Sequence, residues 1–282
     1  MTAFREHRIT ARDGLSLYAR DYGAPGSARF PLLCLPGLTR NSADFARLAA
    51  RLAPERRVVC PDYRGRGRSE HDRDWRRYTP QTCLDDLAQL MAALGLERVV
   101  AVGTSMGGLL AMGLAVLKPG AVAGAVLNDI GPDVGQDGFG RLLDYISIDR
   151  PQPDWPTAVE FLRRTLPFLS FTSDADWLEF TQGTFREGSD GRLHFDWDVR
   201  LIRPLRTGAP VPDLWPLFRA LGRVPVLALR GAVSDILSDA TFARMQAAVP
   251  SLKRVTVPGV GHAPSFEEPE ARAALDEFLI RF

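Results

Sequence analysis

Gly103-Thr104-Ser105-Met106-Gly107 brackets a serine with glycines two residues to either side, a spacing that has chemical meaning. The pentapeptide lies inside "AVGTSMGGLLAMG", Ala101 to Gly113, where one apolar run ends and another begins. A strand that turns straight into a helix at this point forces the serine into strained backbone, tolerated only if its glycine neighbours carry no side chains. The hydroxyl is then lifted clear of the strand end. The amide of Met106, at the start of the helix, faces the same space and can receive a developing negative charge.

A serine hydroxyl attacks only when a base removes its proton. Of the four histidines, His262 in "PGVGHAPSFEEP" sits in a Gly- and Pro-flanked loop after the last strand pattern, whereas His7, His71 and His194 lack such placement. Strands of one parallel sheet point the same way, so the loops carrying Ser105 and His262 share an edge. A carboxylate must hold the imidazole in the right tautomer. Asp235, in the loop "LALRGAVSDILS", is the first choice and yields the chain order Ser105, Asp235, His262. Asp129, closing "AVLND", lies on the same edge and is the rival, with helix capping as its structural use.

The elements that position these residues follow from periodicity. Asp13-Gly14 turns a hairpin between about Arg5 and Tyr22. "PLLCL", "RVVCP", "RVVAVG" and "VAGAVLND" are buried-strand runs, separated by helical patterns near Asp44 to Leu52 and Pro80 to Leu94. That rhythm implies an α/β fold, a mostly parallel sheet covered on both faces by helices. From 131 to 222 the rhythm stops, and Trp155, Trp177, Trp197 and Trp215 fall in this stretch, four of the five tryptophans. It is expected to form a helical insertion over one end of the sheet, dividing the core into 1–130 and 223–282. Strand patterns return in "VPVLALRG" and "KRVTVPG", and a last helix runs from about Pro269.

These residues resemble the α/β-hydrolase superfamily, in particular cofactor-free esterases, enol-lactonases and meta-cleavage-product hydrolases with a helical cap after the sixth strand. The resemblance rests on G-T-S-M-G, "GAVSD", "GHAP", "LLCLPGLTRN" and "PDYRGRGRS" and covers about two-thirds of the chain. It implies Ser105, Asp235 and His262 as catalytic residues, with the Leu38 and Met106 amides as oxyanion donors. Pro36 stands where the family usually has histidine, so the Leu38 loop needs different support. In "PDYRGRGRS", Asp62 and Arg64 are expected to serve a turn-and-salt-bridge element rather than chemistry.

The implied activity is hydrolysis of a carboxylic ester or lactone of a small, largely apolar substrate through an acyl-enzyme on Ser105. Carbon–carbon hydrolysis of meta-cleavage type, cofactor-free perhydrolysis and ligand reception on a hydrolase fold are the alternatives. Arg40, beside the oxyanion loop, is placed to meet a substrate carboxylate, although exposure is the default for an arginine. With 35 basic and 34 acidic residues the net charge is +1, so the expected partner is a small molecule and neither nucleic acid nor membrane. Homodimerisation stays open. No cofactor or metal is expected, since the sequence has neither a phosphate-cradling loop nor a ligand cluster. Three cysteines without C-x-x-C spacing and a charged start, "MTAFREHRIT", suggest a reducing, cytoplasmic setting. The uncharged run from Val99 to Leu117 is broken by glycines and reads as strand, turn and helix rather than a membrane span.

Overall fold

Gly14, at φ +87°, makes the turn that pairs strand β1 (Phe4–Thr10) with β2 (Ser16–Tyr22) in an antiparallel hairpin. The computed structural model describes residues 3–23, 26–206 and 212–282. Six further strands continue the sheet: β3 (Leu32–Leu35), β4 (Val58–Asp62), β5 (Val99–Thr104), β6 (Val122–Asn128), β9 (Val226–Gly231) and β10 (Lys253–Val257). Their order is β1-β2-β4-β3-β5-β6-β9-β10, with every pair from β4 to β10 parallel. This is the α/β-hydrolase fold.

The short apolar runs form strands because both faces of the sheet are covered. Leu33, Leu35, Ala101 and Leu127 point to one hydrophobic layer, packed against helices α2 (Pro80–Ala93), α3 (Met106–Leu117) and α8 (Asp239–Ala248). Leu32, Cys34, Val102 and Val126 point to the other, closed by α1 (Ala46–Leu52) and α9 (Pro269–Leu279). Side-chain alternation in a doubly covered strand yields a continuous apolar run, which is what the sequence has at β3, β5 and β6. The apolar stretch Val99 to Leu117 is β5, a turn and a 12-residue α3. Among the described residues no helix is long and apolar enough to cross a membrane.

After β3 the chain places β4 on one side, then crosses to place β5 on the other. Ends of parallel strands at such a reversal leave a crevice between their loops. The loop after β3, carrying Leu38, and the turn after β5, carrying Ser105, open into that crevice.

The excursion between β6 and β9 holds α4 (Gln136–Ile146), α5 (Trp155–Thr165), α6 (Asp174–Gln182) and a two-stranded antiparallel pair, β7 (Phe185–Glu187) with β8 (Leu193–Phe195). It is therefore not purely helical. Its own core gathers Ile146, Leu162, Trp177, Phe185 and Trp197, with Phe195 and Trp197 stacked at 4.0 Å. The last helix of the stretch, α7 (Trp215–Leu221), belongs elsewhere: Trp215, Phe218 and Leu221 pack in the main core against α3. Of the four tryptophans grouped in this stretch, Trp215 is thus a residue of the main body.

Backbone bonds seat the excursion on the sheet. Gly67 N–H donates to Asp196 O at 3.0 Å and Asp198 N–H to Gly65 O at 2.8 Å. Asn41 Nδ2 donates to Gly183 O and to Asp196 Oδ2 at 2.9 and 3.0 Å. Burial raises the Asp196 carboxyl to about 6, against the opposing pull of Arg186. The folded state therefore holds this proton more tightly than the unfolded chain, and the ionised form costs stability above that value. Asp196→Asn is expected to raise the thermal midpoint at about pH 8, with the gain shrinking as pH falls through 6 and vanishing near about pH 4. Melting curves across that range check it, and a gain independent of pH would contradict it.

Candidate active site

Ser105 adopts φ 53°, ψ −120°, between β5 and α3. Sterics require the neighbouring glycines: a Cβ on Gly103 would sit 2.3 Å from Gly107 O, and one on Gly107 would sit 2.0 Å from Leu35 O. Both obstacles are backbone and cannot yield. Ser105 N–H donates to Asn128 O at 3.0 Å, and Ser105 O accepts from Gly108 N–H at 2.9 Å. That carbonyl is the first acceptor of α3, so the Met106 amide has no helical partner, and among the described residues no other acceptor takes it.

His262 lies in the loop after β10 and lines the same cleft as Ser105. Its Nδ1 bonds Asp129 Oδ2 at 2.6 Å. Asp129 is fully buried, follows β6 directly and takes φ 54°. Three groups converge on its carboxylate: Gly231 N–H at 2.8 Å on Oδ1, Ser234 Oγ at 2.5 Å on Oδ2, and the imidazole. A carboxylate so held fixes which ring nitrogen carries the proton, leaving Nε2 as the basic one.

Asp235 does not reach His262. Its carboxylate pairs with Arg141 of α4 and is partly exposed. Ser234 is the residue of "GAVSD" that points inward; its hydroxyl also accepts from the amides of Ile236 and Leu237. With Ser234 turned in, the next side chain faces out, toward the start of α4. There Gly135 and Gly138 approach so closely that a Cβ would sit 2.2 and 2.5 Å from Asp235 O. The carboxylate expected at Asp235 is supplied by Asp129, and the capping use considered for Asp129 is absent, since Gly135 is the N-cap of α4.

Leu38 sits in the loop after β3, also on the cleft wall. The support that histidine usually supplies there comes from two buried residues of "PDYRGRGRS". Arg66 donates Nε–H to Leu38 O at 2.8 Å and Nη1–H to Arg64 O at 2.7 Å, while Tyr63 donates its hydroxyl to Pro36 O at 3.2 Å. Burial lowers the Arg66 guanidinium below its ordinary range. Asp62 and Arg64 have structural roles: Asp62 accepts from the amides of Ser42 and Arg68, and Arg64 binds Asp86, Asp72 and Asp13.

Asn128 joins the three loops. Its Nδ2 donates to Thr104 Oγ1 at 3.1 Å and to Pro264 O at 2.7 Å, residues one before Ser105 and two after His262. Ser234, Arg66 and Asn128 were not legible as site residues, because each works through a partner distant in the chain. The cleft has a volume of about 710 Å³, and Leu142, Tyr145, Leu169, Phe171 and Phe180 of the excursion form much of its wall. Among the described residues no group of His, Cys, Asp and Glu is arranged to hold a metal ion.

The chain matches the model of the alpha/beta hydrolase family over residues 32–275. It is 35% identical to a 3-hydroxybutyrate-oligomer hydrolase of Cupriavidus necator, over 92% of this chain and 91% of the relative. It is 27% identical to a 2-(acetamidomethylene)succinate hydrolase of Mesorhizobium japonicum, over 94% and 92%. An alpha/beta hydrolase crystal structure from Novosphingobium aromaticivorans superposes with a TM-score of 0.93 at 43% identity, all of both chains being covered. On that breadth of likeness, in sequence and in backbone, the chain belongs to the alpha/beta hydrolase family and is a hydrolase of the α/β type.

Proposed function

We propose that the protein hydrolyses carboxylic esters through an acyl-enzyme on Ser105, with His262 as base and Asp129 as its orienting acid. The observation that carries this reading is the 2.6 Å bond from His262 to buried Asp129, in a cleft that Ser105 also lines. His262 Nε2 takes the Ser105 proton as Oγ attacks the ester carbonyl. The carbonyl oxygen gains a negative charge and turns to the Leu38 and Met106 amides. The imidazolium then protonates the departing alkoxide, and water repeats the sequence to free the acid.

The largely apolar wall suits a small, uncharged acyl or alcohol group. Esters of short hydroxy acids are the first substrates to test, because a relative 35% identical is named for hydrolysing 3-hydroxybutyrate oligomers. The excursion, without α7, acts as a cap that selects among them. A panel of p-nitrophenyl esters, lactones, 3-hydroxybutyrate oligomers and a meta-cleavage product measures the preference. Turnover confined to the meta-cleavage product would overturn the ester reading.

The choice of acid has a direct test. Asp129→Asn is expected to lower kcat by about 10⁴, because the amide stabilises the wrong imidazole tautomer, while Asp235→Asn leaves it within about threefold. Steady-state kinetics on both variants, with circular dichroism to check folding, decides it. A dead Asp235→Asn beside a nearly normal Asp129→Asn would restore the other aspartate.

A further inference from the structure

Arg40 stands beside Ser105, yet the hydrolytic steps above do not use it. A Cβ placed on Gly37 would lie 3.4 Å from Arg40 Cγ and 3.8 Å from Ser105 Cβ, so the two side chains flank one spot in the cleft. The Arg40 side chain is only 13% exposed. Its position is held from three sides. Asp44 takes the Nε edge at 2.8 and 3.1 Å together with one hydrogen of Nη2, Thr184 Oγ1 takes one hydrogen of Nη1, and Phe180 stacks 4.0 Å from the guanidinium. Among the described residues, one hydrogen on each terminal nitrogen is left over.

Tyr145 reaches the same cleft from α4. Its ring packs on Phe195 at 5.5 Å, Trp197 at 5.9 Å and Phe161 at 6.4 Å, and no described residue bonds its hydroxyl. Burial holds the phenol above the ordinary tyrosine range although the Arg40 charge acts the other way, so it remains a neutral donor. Arg40 and Tyr145 line the same cleft, where Arg40 also packs on Phe180 of that wall.

We propose, resting on the ester-hydrolase reading above, that Arg40 and Tyr145 form a subsite for a neutral carbonyl oxygen, the second ester group of a substrate whose first ester is cleaved at Ser105. Charge decides for a neutral group over a carboxylate. Both arginines on the cleft wall are already paired, Arg40 with Asp44 and Arg47 with Asp176 and Glu179, and Glu267 and Glu270 add further negative charge. An anion entering there meets more repulsion than attraction.

Three p-nitrophenyl esters of matched length test this: p-nitrophenyl methyl glutarate with a second ester, p-nitrophenyl hydrogen glutarate with a carboxylate, and p-nitrophenyl heptanoate with neither. Wild type is expected to prefer the methyl glutarate to the hydrogen glutarate in kcat/KM. Tyr145→Phe should lower the ratio of methyl glutarate to heptanoate by about tenfold, the loss of one hydrogen bond. Arg40→Lys, which keeps the charge but not the planar fork, should lower the same ratio. A ratio unmoved in both variants, or a preference for the hydrogen glutarate, overturns the subsite. Heptanoate turnover that Ser105→Ala abolishes supports the hydrolase reading whatever the ratio does. A binding measurement separates the two failures: dimethyl glutarate titrated by NMR into Ser105→Ala protein should bind several-fold more weakly once Tyr145→Phe is added. Equal binding overturns the subsite with no reference to catalysis.

Discussion

The site depends on one steric constraint, the turn at Ser105 in which the serine holds φ 53° while no Cβ fits at Gly103 or Gly107. A non-glycine residue in that region costs on the order of 1–3 kcal/mol and persists only where its surroundings leave it no alternative. Here they leave none. Leu35 pairs with Gly103 and Thr104 with Asn128, so strands on both sides fix β5 up to the turn. Asn128 O takes the Ser105 amide, and α3 begins against the backbone of Leu35 and Pro36. The same close approach of α3 to the end of β3 sets the start of α3 against the loop that carries Leu38.

A second residue in left-handed backbone, Asp129 at φ 54°, occupies the corresponding place at the end of the next strand. The two strained residues sit on adjacent strands and open on the same edge. The loop after β9 completes the arrangement by an exchange of roles. It keeps the sequence pattern of an acid-bearing loop, yet its inward residue is Ser234, which donates to Asp129, while Asp235 turns outward to Arg141 and the base of α4. One loop therefore braces Asp129 and anchors the excursion. The Leu38 loop shows similar substitution, since Arg66 and Tyr63 support it where Pro36 replaces a histidine.

Much of this was legible in the sequence wherever one local rule decided the outcome. The glycine spacing around Ser105, the β-strand runs and the Asp13-Gly14 turn each specify local backbone, and the structure follows them. That His262 and Ser105 share a cleft was legible because parallel strands all end on one edge. The choice between Asp129 and Asp235 was not, because it depends on which of two adjacent residues in a short loop faces inward. Ser234 settles that with a bond to a residue 105 positions away. The extent of the excursion was obscured for a related reason: Trp215 and Phe218 look like its other aromatics, but α7 finds its apolar surface on α3. Arg66 was hidden inside a motif whose other members, Asp62 and Arg64, do serve the turn and the ion pairs.

Ser105 is expected to attack a carbonyl whose oxygen is received by the amides of Leu38 and Met106. A crystal structure of the protein after reaction with a p-nitrophenyl alkylphosphonate measures this most directly, because the tetrahedral phosphorus imitates the acyl-transfer intermediate. Phosphorus bonded to Ser105 Oγ, with its free oxygen within about 2.7–3.1 Å of both amide nitrogens, is the expected result. Phosphorus on another residue, or an oxygen turned away from both amides, would contradict it.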